Sequence, residues 1–234
     1  MGFVIKQCEE PLLAAGKSVT TLLHKADDRN ILLLLSGGSA ANVLNHIDIP
    51  HPAFTTIGLV DERFTIDPKH QNMALVEEYE VVRGALDKGI TVVPILQRDL
   101  TLHECVLAYE SFLRSWRKKN PYGAVFVILG VGEDAHTAGI FPYPENEPEF
   151  HALFENGAWV TGYDVGEKSE NPLRITVTKT FLTHEVDVAV LYAVGESKKE
   201  ALMHLLLPFG HTHKTPIKLL KNMKRSFVYT DLLL

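Results

Sequence analysis

Cysteine is nearly missing from this chain, with only Cys8 and Cys105 in 234 residues. The two lie far apart in sequence, and Cys105 falls on the apolar stripe of a helical pattern. Neither a disulfide framework nor a thiol centre is expected, and a reducing compartment fits. Long hydrophobic runs are also missing: no apolar stretch reaches the ~18 residues of a membrane span. The N-terminal residues lack a basic segment leading into an apolar core and a cleavage site. A cytoplasmic protein that engages no membrane is the expectation. Positive charge is outnumbered by negative, with 23 Lys and Arg against 29 Asp and Glu. A net charge of -6 argues against a general nucleic-acid surface, so no nucleic-acid partner is expected. It still leaves room for a local basic pocket that takes a small anion. Internal repeats and low-complexity tracts are absent, which excludes solenoids and linker-like chains.

What is present is a core-forming composition. The chain is 46% hydrophobic and 22% charged, with both signs spread along it. Strand-like runs at 31–36, 56–61, 91–95, 124–130, 174–178 and 186–194 alternate with helical patterns. The helical patterns fall at about 11–24, 39–47, 72–86, 101–118, 197–207 and 215–222. Such alternation implies βαβ units: an α/β, Rossmann-like fold with a mostly parallel sheet and helices on both faces. The clearest helix carries Leu102, Cys105, Val106, Tyr109, Phe112, Leu113 and Trp116 at helical spacing. Thr101 and Glu104 have the spacing of a capping box at its start. Segment 142–149, with three prolines and three glutamates, reads as an exposed loop at the rim of a site. Segment 162–172 reads as a second loop. One domain spanning 1–234 is the simplest organisation.

The most informative stretch is Gly130-Val131-Gly132-Glu133-Asp134-Ala135-His136-Thr137-Ala138-Gly139-Ile140-Phe141-Pro142. It follows the wholly apolar run 124–129, a buried strand. Open α/β sheets bind ligands at the carboxyl ends of their strands, so a titratable histidine is placed where such folds do chemistry. Three further strand ends carry suitable groups. Ser36-Gly37-Gly38-Ser39 joins a strand to a helix, where glycines admit a ligand close to the backbone and free N–H groups point outward. It is neither a Walker A loop nor a full dinucleotide fingerprint. Asp61-Glu62-Arg63 offers an arginine able to grip a phosphate or carboxylate through two parallel hydrogen bonds. Gly195-Glu196-Ser197-Lys198 places a lysine in what the Ser197/Glu200 spacing marks as a first helical turn. A cation there opposes the helix dipole unless an anion sits beside it. Arg174, opening the strand 174–178, is a fourth candidate. His211-Thr212-His213 offers two imidazoles but no further ligand at diagnostic spacing, so no metal site is expected.

In this order the motifs resemble the 6-phosphogluconolactonase family. The resemblance rests on Ser36–Ser39, Asp61-Glu62-Arg63, Asn72-Met73, the Gly130 to Pro142 segment, Asn171-Pro172-x-Arg174-Ile175-Thr176 and Gly195-x-x-Lys198. It spans roughly residues 10 to 231. It implies a fold shared with the hexosamine-phosphate isomerase/deaminases, needing no metal or nucleotide cofactor. It also implies a phosphorylated sugar lactone as substrate, and a monomer or small homo-oligomer. His136 takes the place of the general base, with Asp134 a candidate to fix its tautomer. Arg63, Lys198 and the Ser36–Ser39 loop match phosphate-binding positions, and Asp61 and Arg174 join them around the substrate. Glu62 is expected to orient Arg63. There are departures. Ala135 stands where the family usually has glycine, which costs on the order of 1 kcal/mol if the backbone there is left-handed. Gly139 replaces a usual serine, and Ala40-Ala41 replaces a more typical threonine or proline context. The isomerase/deaminase branch carries a glutamate five residues after the histidine, where this chain has Phe141, and Asp-Glu-Tyr in place of Asp61-Glu62-Arg63. A non-catalytic sugar-phosphate-binding protein is the reading from a different class.

Overall fold

A computed structural model describes residues 2–26, 28–85 and 87–234. Strand β1 (Phe3–Gln7) leads into helix α1 (Pro11–His24), whose first residue is a proline that forgoes no intrahelical bond there. Strands β2 (Ile31–Leu35) and β3 (Thr55–Leu59) follow, and the connection between them holds a 3₁₀ helix over Gly38–His46. After Val60 the chain forms β4 (Asp61–Arg63), then α2 (Asn72–Val76), α3 (Glu80–Arg83), β5 (Thr91–Val92) and α4 (Leu102–Lys119). Next come β6 (Ala124–Leu129), α5 (Glu147–Phe154), β7 (Val160–Asp164), β8 (Leu173–Val177) and α6 (Lys179–His184). Strand β9 (Val188–Tyr192), helix α7 (Lys199–Leu206) and strand β10 (Ser226–Thr230) complete the order.

Seven strands form one sheet in the order β1-β10-β9-β6-β2-β3-β5, and every pairing in it is parallel. Successive strand side chains point to opposite faces, so a run buried at every position must be covered on both. Strands β2 and β6 are such runs. They lie side by side, and the strand order reverses between them. Helix α1 packs against β9 and β10. Helix α4 buries Cys105, Tyr109, Leu113 and Trp116, and its Tyr109 hydroxyl donates to the Leu59 carbonyl at 2.7 Å. The capping box at Thr101 and Glu104 is formed.

A second, antiparallel sheet has the order β4-β8-β7. The chain passes into it from β3 through Val60 alone, so the main sheet is left at Leu59 and Asp61 and Arg63 both belong to the small one. The strand predicted at 174–178 therefore pairs here and not in the parallel sheet. Three other readings change. The helix expected over 72–86 is two short pieces, α2 and α3, and its last residue, Leu86, lies outside the described residues. The loop expected over 142–149 ends in α5, capped by the Asn146 side chain and anchored by buried Phe150 and Phe154. The loop expected from residue 162 begins inside β7, where Tyr163 is buried. Strands β1 and β10, absent from the sequence reading, are held by parallel pairing to each other and to β9 rather than by strong local patterning.

Candidate active site

Where the strand order reverses, the loops leaving β2 and β6 part and open a crevice, the usual ligand site of such sheets. A cleft of about 530 Å³ lies there. Its walls are the Ser36–Ala40 turn after β2, the Gly130–Gly139 segment after β6, Asp61 and Arg63 from β4, and Arg174 from β8. Lys198 closes one end. Every site residue expected from sequence lines this one cleft: Ser36, Gly37, Gly38, Ser39, Asp61, Arg63, Asp134, His136, Arg174 and Lys198.

His136 is held on one side only. Its Nδ1 lies 2.5 Å from Asp134 Oδ1, and the same oxygen accepts the His136 backbone N–H at 3.1 Å. An ionised carboxylate only accepts, so Nδ1 carries the proton and Nε2 keeps a free lone pair. Burial pushes the Asp134 carboxyl up, but the bonds and charge of His136 outweigh it and hold the carboxyl below its usual range. The imidazole stacks on Phe141, with ring centroids 4.3 Å apart and planes within 14°. Gly132 makes room for it. A Cβ there would sit 2.2 Å from the His136 ring and 2.6 Å from Asp134 Oδ1. Ala135, between the two, has φ of 65°, the left-handed conformation that favours glycine. Hydrogen bonds from Ala135 N–H to the Gly132 carbonyl and from Ile217 N–H to the Ala135 carbonyl, both 3.0 Å, hold it there.

The opposite wall is cationic. Arg63 and Arg174 are directly paired residues of the antiparallel β4–β8 ladder. Arg63 donates from Nη1 to the His70 carbonyl at 2.7 Å, and Arg174 from Nη2 to Ser169 Oγ at 2.7 Å. The Arg174 guanidinium also lies over the Phe141 ring. Lys168 donates to the Pro142 carbonyl at 2.6 Å. Among the described residues, the arginine and lysine ion pairs all involve other cations. Burial lowers the Arg174 pKa, and the nearby Asp61 charge opposes that while Arg63 adds to it. Among the described residues, the buried side-chain atoms without a hydrogen-bond partner are Ser36 Oγ, Asn72 Oδ1 and Arg174 Nε. All three residues line the cleft. Unpaired buried polar atoms are rare in folded proteins, and their convergence on one cleft marks a place for a polar ligand.

Two expected arrangements differ. Glu62 does not meet the Arg63 guanidinium. Fully buried, it accepts the backbone N–H groups of Arg63 and Asn72 on Oε1, both at 2.7 Å, and of Met73 on Oε2 at 2.8 Å. It thereby ties α2 to β4. Burial lifts its pKa to about 7 against those three bonds. Lys198 is also placed differently: it is the N-cap residue of α7, with no side-chain cap bond, so the capping box read at Ser197 and Glu200 does not form. Asn72 bridges the two walls, donating from Nδ2 to the Asp61 backbone carbonyl at 2.9 Å. Sequence reasoning passed over Lys168 and Ser169 because they sit in a polar, turn-rich segment where a lone lysine carries no signal. Only the pairing of β7 with β8 brings them to the cleft.

The fold and cleft define a class: a Rossmann-like α/β protein whose switch-point crevice joins a carboxylate-oriented histidine to a cationic wall. Residues 9–229 match the family described as glucosamine-6-phosphate isomerases/6-phosphogluconolactonase, and the chain belongs to it. Among curated proteins it is similar to a 6-phosphogluconolactonase of Xylella fastidiosa (strain 9a5c), 28% identical over 173 residues, which cover 73% of this chain and 69% of that protein. A 6-phosphogluconolactonase of Nostoc sp. is 39% identical over 82 residues, 35% of this chain and 30% of that protein. Among solved structures, a 6-phosphogluconolactonase from Shewanella baltica superposes with a TM-score of 0.76 at 20% identity, covering 97% of this chain and 95% of that one. A monomeric glucosamine-6-phosphate deaminase superposes with a TM-score of 0.73 at 15% identity, covering 98% and 97%. At those identities the structures establish the shared fold, which both chemistries use. No described helix is long and apolar enough to cross a membrane.

Proposed function

We propose that the chain hydrolyses 6-phospho-D-glucono-1,5-lactone to 6-phospho-D-gluconate, the step of the pentose phosphate pathway that opens the lactone. The observation that carries this reading is the one-sided hold on His136. With Nδ1 bound to Asp134, Nε2 is the ring atom left free to accept, on a side chain that lines the cleft. Neutral His136 removes a proton from water as the oxygen attacks the lactone C1 carbonyl. The C1–O5 bond then breaks, and the imidazolium returns the proton to the ring oxygen. A positioned general base contributes about 10²–10⁴-fold.

In this reading Arg63, Arg174 and Lys198 hold the 6-phosphate, and the Ser36–Ser39 turn offers its backbone N–H groups. Phosphate bound away from the reacting carbon fixes the lactone carbonyl at His136. Asp61 and Asn72 sit between the walls, within reach of sugar hydroxyls. Phe141 supports hydrolysis over isomerisation. It lies five residues after His136 and presents a ring with no group able to carry a proton between C1 and C2.

The test is hydrolysis of freshly prepared lactone by the purified protein beside its His136→Ala variant, with the uncatalysed background subtracted. Rapid turnover lost in the variant supports both activity and base. Turnover kept in the variant removes His136 from the role, and no turnover by either protein overturns the lactonase reading.

A further inference from the structure

We propose a zinc site, separate from the cleft, formed by Glu147, His211 and His213. One ligand atom from each lies within 4.8 Å of the other two. The sequence spacing offered only the two histidines. The fold supplies the carboxylate, because Glu147 opens α5 and its Oε1 lies against His213.

The geometry is close to what a tetrahedral ion needs. Donor atoms about 2.0–2.2 Å from zinc are roughly 3.3–3.5 Å from one another. Glu147 Oε1 and His213 Nδ1 are already 3.1 Å apart. The His211 and His213 rings have centroids 5.3 Å apart, so a rotation of the exposed His211 completes the set. His213 is buried, with the Phe150 ring edge-on against it. A fixed imidazole in an apolar shell beside two adjustable ligands is a workable zinc arrangement. Two imidazoles and one carboxylate suit zinc better than calcium or magnesium, which favour all-oxygen sites. His151, one turn along α5, lies 3.5 Å from the same Glu147 oxygen but outside the converging set, so the fourth position falls to water.

The ion would act as a clamp. The His213 carbonyl accepts the Tyr143 N–H at 2.6 Å, just past the Phe141 that stacks on His136. Zinc thus ties the start of α5 to the 211–214 turn, and through Tyr143 to the cleft rim.

The test uses the intact protein, stripped with a chelator and dialysed, then titrated with Zn²⁺ by calorimetry and thermal melting. Co²⁺ serves as an absorbing probe of tetrahedral geometry. One equivalent of Zn²⁺ is expected to bind and to raise Tm by roughly 5–10 °C at a hundredfold excess over Kd. His211→Ala and Glu147→Gln alter exposed side chains, so both should melt like the parent without metal. Each should weaken zinc binding roughly 100-fold and abolish the tetrahedral Co²⁺ spectrum. Absence of saturable binding in the parent overturns the proposal. So does equal affinity in both variants, or a loss of binding in His136→Ala instead, which would put the ion in the cleft.

Discussion

Arg63 and Arg174 face each other across the β4–β8 ladder, two like charges at one register position, and among the described residues neither forms an ion pair within 4 Å. Such a pair repels across the sheet, and the nearby Asp61 charge offsets that repulsion, so the main cost falls on the burial of Arg174. That burial leaves its Nε unsatisfied. An anion between them reverses the sign of the interaction. Arg174→Met is therefore expected to stabilise the ligand-free protein by about 1 kcal/mol, a Tm rise of roughly 2–4 °C. The same change should raise KM for the phosphorylated lactone by roughly 30–1000-fold, equivalent to about 2–4 kcal/mol of binding. Thermal melts with and without 6-phosphogluconate check both halves. A Tm that falls in the variant refutes the first.

Gly132 gives a separate handle on the base. A methyl group at that position collides with the His136 ring, and the backbone there is not left-handed. Gly132→Ala should push the imidazole away from Asp134 and lower kcat about 100-fold, the usual cost of misplacing a reacting group by about 1 Å. KM should change little, because the cationic wall is untouched. Steady-state kinetics with the phosphorylated lactone separate the two parameters.

Asp134→Asn tests the tautomer argument. An amide in place of the carboxylate no longer enforces the proton on Nδ1, so kcat is expected to fall at least tenfold with KM unchanged. The parent's acid limit follows from the same pair. Although burial works against it, His136 keeps the Asp134 carboxyl below its usual range. The stabilisation from this contact is present above the ordinary carboxylate pKa and is lost as pH falls through the lower folded value. The Nδ1 hydrogen bond, followed by NMR, should survive mildly acidic buffer and disappear only below the usual carboxylate range.

Glu62 titrates in the opposite sense. Its folded pKa of about 7 lies above the ordinary 4.5, so the native state binds the extra proton between those values. The associated stability is fully present below the unfolded pKa and is lost as pH rises through about 7. Urea unfolding at pH 5 and pH 8 should show a loss on the order of 3 kcal/mol from this residue. Comparison with Glu62→Gln, which cannot titrate, isolates the contribution. A Glu62 carboxyl that titrates near pH 4 by NMR contradicts the expectation.

The parallel core was legible because β2 and β6 are unbroken apolar runs that admit no other placement. The glycine turn after β2 and the Asp134–His136 segment were legible for a related reason: each follows such a run directly, and the fold class fixes where strand ends point. Of the small sheet only β8 was legible, and its pairing was not. Strand β4 is three residues of charge, and β7 hides Gly162 inside a segment that reads as a turn. Both depend on partners distant in sequence, which local pattern does not report. The role of Glu62 escaped for the same reason, since its partners Asn72 and Met73 approach only when α2 folds back on β4. The capping spacing at Ser197 and Glu200 was present but unused, because a 3₁₀ turn over Glu196–Lys198 moves the helix start to Lys199.

The single residue, Val60, that carries the chain from one sheet to the other divides the labour of the cleft. The histidine dyad and the glycine turn hang from the parallel core, while the paired arginines stand on the three-stranded sheet. The scaffold under the two arginines is thus distinct from that under the histidine, while the Ser36–Ser39 turn and Lys198 stand beside the histidine on the parallel core. Exchanging the β7–β8 hairpin and its connecting loop would replace Lys168, Ser169 and Arg174 in the cleft wall and leave His136 and Asp134 where they stand.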